Sequence, residues 1–132
     1  MPIVVTALLV IKCPLCEVTA MGLCPFCAIV SGKLPADIVY EDDCALAFRD
    51  IRPQAPVHVL VIPKEHVASV DAVADLALWS KLMASVRAVV VKLGLSGQGY
   101  RIVVNCGEAA GQTVPHLHIH LLAGRGLQWP PG

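Results

Sequence analysis

Between Asp71 and Leu93 the chain has neither proline nor glycine, and Val73, Leu76, Ala77, Leu82, Met83, Val86, Val89 and Val90 recur at helical spacing. The pattern predicts one long helix, ended by Gly94. Upstream, Phe26 to Val30 offers one or two helical turns before Ser31-Gly32 and a loop carrying Pro35. Ile38-Val39-Tyr40 and Ala45-Leu46-Ala47-Phe48 read as short strands around the polar turn Glu41-Asp42-Asp43. Pro53 and Pro56 break the chain. Val57 to Ile62 is then an apolar run rich in β-branched residues, interrupted only by His58 and stopped by Pro63, which predicts a strand buried on both faces. Tyr100 to Asn105 reads as a further strand, Gly107 to Thr113 as a glycine-bearing loop, and His116 to Leu122 as the last strand. A short helix, strands, a long helix and strands again, joined by short connections, predict an α+β fold on a mainly antiparallel sheet.

The last strand carries a second pattern. His116, His118 and His120 alternate with Leu117, Ile119 and Leu121, and strand side chains alternate faces, so one face is apolar and the other is a row of imidazoles. Same-face neighbours lie about 6.6 Å apart and imidazole titrates near 6.5, so such a row can give and take protons at roughly neutral pH. A lone histidine on a strand is ordinarily a surface residue. Three in register favour acid, base or nucleophilic chemistry. His-x-His is also a frequent zinc arrangement, but the span from His116 to His120, about 13 Å, is too long for one ion with bonds of about 2 Å. Directly upstream, the two glycines of Asn105-Cys106-Gly107-Glu108-Ala109-Ala110-Gly111-Gln112-Thr113 let backbone N–H groups approach an anion, and Asn105, Gln112 and Thr113 add polar side chains. The loop lacks the Gly-Lys-Ser/Thr ending of a P-loop. Joined to the histidine row, it points to phosphate chemistry with histidine as nucleophile. His118, with a same-face histidine on either side, is the candidate nucleophile.

Composition narrows the partners. At 132 residues the chain fits one domain that needs no disulfide staples. Apolar residues make up 56% and charged residues 15%, an excess that suggests apolar surface covered by a partner, and a homodimer is the simplest way to cover it. Ten basic residues balance ten acidic ones with no Lys/Arg run, which argues against a nucleic-acid polymer. Any phosphate ligand should be small. Ile3 to Ile11 is an apolar run of nine, far short of the roughly 20 residues that cross a bilayer. It resembles the apolar part of a secretory signal, but no basic residue precedes it and Lys12 follows. The expected location is the cytoplasm, with no membrane association. Of the six cysteines, Cys13, Cys16, Cys24 and Cys27 form two C-P-x-C pairs, while Cys44 and Cys106 stand apart. Zinc, redox chemistry and disulfides compete for the pairs. Zinc is preferred, because the domain needs no bridges and no thioredoxin-like βαβ pattern surrounds them. The domain proper is expected at 21–132, with 1–20 an extension of uncertain role or the product of an upstream start.

From Cys24 to Gly132 the chain resembles the histidine-triad (HIT) proteins, and in particular their nucleotide-binding Hint branch. The resemblance is carried by the triad itself, Val39-Tyr40-Glu41-Asp42-Asp43, Asp50-Ile51-Arg52-Pro53-Gln54-Ala55-Pro56-Val57-His58, Val61-Ile62-Pro63-Lys64, Gly111-Gln112-Thr113-Val114 and the tail Trp129-Pro130-Pro131-Gly132. Ala123 departs from the pattern, since a glycine is usual before Gly124-Arg125. The first twenty residues match nothing in the family.

The resemblance implies a HIT-like fold of five antiparallel strands with one short and one long helix, the sheet continuing across a dimer. It implies His118 as nucleophile, His120 at the phosphate and leaving group, and His58 beside them. Thr113, Asn105 and Gln112 would support the phosphate, Asp50 would hold the ribose hydroxyls, and Phe26, Ile29, Phe48 and Ile51 would line the base pocket. The implied activity is hydrolysis of purine nucleoside 5'-phosphoramidates through a nucleotidyl-histidine, with no catalytic metal. It also implies a structural zinc on Cys24, Cys27, His66 and His116, in which His116 holds the site rather than catalyses. A four-cysteine site on Cys13, Cys16, Cys24 and Cys27 is the rival ligand set. Rival functions are a dinucleoside polyphosphate hydrolase, a nucleotidyl transferase, or a nucleotide-binding interaction module with little turnover.

Overall fold

A computed structural model of the chain describes residues 24–132. Helix α1 (Pro25–Val30) opens on Cys24, whose Sγ accepts the Cys27 N–H, and carries proline at its first position, where a missing N–H costs nothing. Strands β1 (Ile38–Glu41) and β2 (Ala45–Arg49) form the expected hairpin. Its turn is held by Asp42, whose carboxylate accepts from the N–H groups of Cys44 and Ala45 and from the Tyr40 and Ser85 hydroxyls. Then come β3 (Val57–Pro63), α2 (Ala77–Lys92), β4 (Tyr100–Val103) and β5 (Ile119–Ala123). The sheet runs β1-β2-β3-β5-β4 and is antiparallel throughout. β3 is the central strand, as its apolar run, interrupted only by His58, predicts.

The period-2 rule sorts each strand between two cores. Ala45 and Ala47 of β2, Val59 and Val61 of β3, and Ile119, Leu121 and Ala123 of β5 pack against Leu82, Val86, Val89 and Val90 of α2. Leu46, Phe48, Leu60 and Ile62 face the other way, onto Phe26 and Cys27 of α1. Alternation therefore sends His58 and His120 to the α1 side. At six residues, α1 covers only part of that face, and the histidines line the rest. No helix among the described residues is long and apolar enough to cross a membrane.

Two elements start later than their patterns predict. The long helix was expected from Asp71 but begins at Ala77, where the Asp75 carboxylate accepts the Ala77 N–H at 2.9 Å. Residues Val70–Ala72 form a 3-10 turn instead, and Val73 reaches the core from that turn. The last strand was expected from His116 but begins at Ile119. Continued by the β3–β5 register, in which Val61 faces Ile119, Leu117 would face Pro63, which has no N–H to offer. The ladder stops there. The Leu117 N–H turns to the Val67 carbonyl at 2.7 Å, and His116 Nε2 takes the Pro63 carbonyl at 2.9 Å.

The corner before β3 holds His58 in place and has its own constraint. Gly124 has φ +96°, and a Cβ built there lies 2.8 Å from Pro56 Cβ. Gly124→Ala should cost about 1–3 kcal/mol, combining backbone strain with overpacking. Gly126→Ala, with nothing within 4 Å, should stay within about 0.5 kcal/mol. Equal urea midpoints for the two variants would contradict this account of the corner.

Candidate functional site

The structure brings His58, His118 and His120 together beside Asp50. His58 and His118 are buried and His120 is half-buried. Ring centroids of His118 and His120 lie 5.1 Å apart, and those of His58 and His120 lie 5.2 Å apart. The expected alternation survives although only His120 belongs to β5, because Leu117, Ile119 and Leu121 all enter the α2 core while His116 and His118 meet the edge of Phe26.

Fixed backbone partners decide the protonation of each ring nitrogen. His118 Nδ1 lies 2.7 Å from the His116 carbonyl oxygen. A carbonyl only accepts, so Nδ1 carries the proton and Nε2 keeps its lone pair. That is the form a nucleophile needs. His58 is set the other way, because its Nδ1 accepts the Gln54 N–H at 3.0 Å, which leaves the proton on Nε2. His58 Nε2–H then donates to His120 Nδ1 at 2.9 Å, with the Asp50 carboxylate 3.4 Å away. His120 is left with a proton on Nε2. One donor and one acceptor of the backbone thus fix three imidazoles. Burial holds His120 down to about 4, helped by His118 and His58 and opposed by Asp50. His58 is lowered by burial, with Asp50 opposing. Both rings are neutral at pH 7.

The other expected site residues divide. Asp50 is anchored by its N–H on the His58 carbonyl at 2.9 Å, and its Oδ1 accepts the Arg52 N–H at 2.7 Å. Phe26, Ile29 and Phe48 meet in the α1 core, Phe26 and Phe48 edge to face at 5.5 Å. Ile51 does not join them, being 93% exposed. Asn105 is half-buried after β4 and Thr113 is exposed. Gln112 braces the loop: its Oε1 accepts the Gly107 N–H, and its Nε2 donates to the carbonyls of Ala68 and Val114. The Gln54 N–H and the Pro63 carbonyl, which orient His58 and His116, were not foreseen. The two prolines flanking Gln54, at 53 and 56, were the one hint of a tight turn ahead of His58.

A second cluster lies where α1 meets the start of the histidine segment. Ligand atoms of Cys24, Cys27, His66 and His116 all fall within 4.8 Å of one another. The two sulfurs and two Nδ1 atoms stand 3.2, 3.3, 3.5 and 3.5 Å apart across the four Cys–His pairs. Tetrahedral zinc, with Zn–S near 2.3 Å and Zn–N near 2.0–2.1 Å, needs about 3.6 Å on those edges. His116 Nε2–H donates to Pro63, so its Nδ1 lone pair points at the sulfurs. Burial lowers the pKa of both rings, that of His116 to about 4, keeping them in the neutral form that ligates metal. These four residues are a buried candidate metal site that fits structural zinc. Cys27 is disulfide-bonded in this structure, so the two-thiolate set describes its reduced form. Cys13 and Cys16 of the rival set, like all of residues 1–20, lie outside the described residues.

A family model for the HIT domain matches residues 31–127. An uncharacterized HIT-like protein of Synechococcus elongatus is 57% identical over 109 residues, covering 81% of this chain and 95% of the relative. Among solved structures, a HIT family hydrolase from Legionella pneumophila superposes with TM-score 0.80 at 48% identity, covering 83% of this chain and 99% of the other. A histidine triad nucleotide-binding protein from Candida albicans gives TM-score 0.72 at 34% identity, covering 81% and 82%.

The lowered His120 predicts how stability responds to acid. Above about 6.5 the ring is neutral whether folded or not; between 6.5 and about 4 the unfolded chain takes a proton that the folded chain refuses. Stability contributed by neutral His120 is lost as pH falls through that window. The thermal midpoint should drop from pH 6.5 to 4.5, and drop less in His120→Asn. Parallel curves for the two proteins would mean that His120 is not the group responsible.

Proposed function

The chain belongs to the HIT domain family, and on that premise we propose that it is a Hint-type hydrolase of purine nucleoside 5'-phosphoramidates. The observation that carries the proposal is the 2.7 Å contact between His118 Nδ1 and the His116 carbonyl, which leaves His118 Nε2 as a free lone pair in a buried site. Support for a nucleotide ligand comes from the Candida albicans neighbour, and for hydrolysis from the Legionella pneumophila neighbour.

His118 Nε2 attacks the α-phosphorus and the P–N bond breaks. The amine nitrogen takes its proton from solvent and leaves as the neutral amine, while neutral His120 keeps its Nε2 proton and donates a hydrogen bond toward the departing group, backed by the His58 Nε2–H bond to its Nδ1. Water then attacks the nucleotidyl-histidine, releasing the nucleoside monophosphate and a proton to solvent and restoring the lone pair on His118. Asn105, Thr113 and backbone N–H groups of the loop braced by Gln112 stabilise the phosphoryl charge. Asp50 takes the ribose hydroxyls, and the base rests against Phe26, Ile29 and Phe48. The reaction needs no catalytic metal. Cys24, Cys27, His66 and His116 would hold the zinc, which would supply a rigid cross-link between α1 and the histidine segment. Residues 21–132 form the working domain in the cytoplasm.

His118→Ala or His118→Asn should lower turnover of an adenosine phosphoramidate by about 10³–10⁶, with AMP affinity largely kept. His120→Ala should lose less, since the bond-forming atom remains. More than about a tenth of wild-type activity in His118→Ala, within ~1.4 kcal/mol, would rule out the covalent route.

The protein also acts as a homodimer in this reading. β4 is an edge strand, and Tyr100 on it, Met83 and Val91 on α2, and Trp129 in the tail are exposed apolar residues, which favours continuation of the sheet across two copies. Sedimentation at micromolar concentration should give twice the 14.0 kDa chain mass; a single-chain mass there would remove the dimer.

A further inference from the structure

Every hydrogen bond of the Arg125 guanidinium goes to a backbone carbonyl. Nε and Nη2 donate to the Gln54 carbonyl at 3.2 and 2.9 Å, and Nη1 donates to the Gly126 carbonyl at 2.8 Å. Among the described residues no carboxylate pairs with it. Two donors of a planar fork closed on one oxygen fix that oxygen in place, which a loose surface ion pair does not.

The residue it grips is the one that orients His58. Gln54 is held at three points: its side-chain Nε2 donates to the Arg52 carbonyl at 3.0 Å, its carbonyl accepts from Arg125, and its N–H donates to His58 Nδ1 at 3.0 Å. Of residues 53–56 only Ala55 is buried, so apolar packing gives this turn little hold. Just before Arg125, Gly124 passes so close to Pro56 that a Cβ on it would lie 2.8 Å from Pro56 Cβ. The end of β5 and the turn therefore meet at contact distance, and Arg125 is the side-chain tie between them.

We propose that Arg125 is a positioning residue for the histidine cluster: by closing on the Gln54 carbonyl it holds the Gln54 N–H on His58 Nδ1 and so keeps the proton on His58 Nε2. For its effect on catalysis the proposal rests on the hydrolase reading given above. With the Gln54 N–H withdrawn, the proton of neutral His58 can move to Nδ1. Nε2 then offers a lone pair, the hydrogen bond to His120 Nδ1 reverses, and His120 loses the Nε2 proton that it directs at the departing group. Asp50, 3.4 Å from His58 Nε2, still favours the original form, so loss of Arg125 mixes the tautomers without inverting them. His118 keeps its own tautomer, because the His116 carbonyl sets it.

The test uses the full-length chain and its Arg125→Ala, Arg125→Lys and Arg101→Ala variants. Arg101 also holds carbonyls beyond β5, but those of Leu127 and Gln128, and so controls for a general loosening of the tail. NMR at pH 7 reads amide exchange at Gln54 and the shifts of the His58 ring nitrogens, which tell a protonated nitrogen from an unprotonated one; kinetics on an adenosine phosphoramidate give kcat and KM. In Arg125→Ala the Gln54 amide should exchange at least about tenfold faster while β3 amides keep their protection. The two His58 nitrogens should draw together in shift, and kcat should fall about tenfold with KM within about twofold. Arg125→Lys, with a point charge in place of the fork, should fall between Arg125→Ala and the wild type. Arg101→Ala should leave Gln54 exchange and the His58 nitrogens unchanged. Unaltered Gln54 exchange and His58 nitrogens in Arg125→Ala, the same changes in Arg101→Ala, faster exchange throughout β3, or a kcat within about twofold of an active wild type would each overturn the proposal. A wild-type chain without turnover overturns the hydrolase reading alone, and the two NMR readings then decide whether Arg125 holds the ring.

Discussion

Everything specific in this fold passes through His116. Its Nε2–H is held by the Pro63 carbonyl, its Nδ1 faces the sulfurs of Cys24 and Cys27, and its own carbonyl takes the proton of His118 Nδ1. One fully buried residue therefore joins the end of β3, helix α1 and His118. The junction exists because β3 ends in proline. Pro63 cannot donate to the ladder, so the chain opposite it leaves the sheet, and the freed Pro63 carbonyl captures the imidazole. A strand that ran on to His116 would spend that carbonyl in the ladder, and the ring would lose the contact that fixes its orientation.

The same reasoning separates the two places where protein donors cluster. Asp50, His58 and His120 also come within ligand distance of one another. Yet His58 Nδ1 accepts the Gln54 N–H, so a metal on Nε2 would require a proton on Nδ1 pointing at another N–H. At the cysteine site the geometry is reversed, because His116 donates from Nε2 and turns a lone pair inward. Backbone groups decide which ring nitrogens carry a proton and which offer a lone pair, and they do so before any ligand arrives.

Much of this was legible in the sequence, and for identifiable reasons. The β3 run, the hairpin around Asp42 and the two-sided alternation each express one local rule, and no later packing contradicts them. What escaped depended on contacts distant in sequence. The false start of α2 came from Val73 and Leu76, which keep helical spacing although the helix begins only at Ala77, whose N–H the Asp75 carboxylate accepts. The early start assigned to the last strand ignored Pro63, fifty-three residues away from His116. Ile51 and Gln112 carry the right chemistry for a nucleotide site, but one projects into solvent and the other is bonded within its own loop. The three-histidine row was readable as a candidate site; the tautomers that distinguish its rings were not, because they are set by the N–H of Gln54 and the carbonyl of His116.

Keeping the rings neutral by burial has a further consequence for how the fold divides its labour. Removing imidazoles from water disfavours their charged forms, which suits a metal ligand, but it also removes the solvent that would otherwise reorient them. Their positions must then come from the protein. On the α1 side the helix is only six residues long, too short to be stable by itself, so its hold on the histidine segment depends on Phe26 packing and on the cysteine cluster at its start. A displacement of about 1 Å in a reacting group can cost 10²-fold in rate, so a metal held at Cys24 and Cys27 would act on the histidine cluster through position alone.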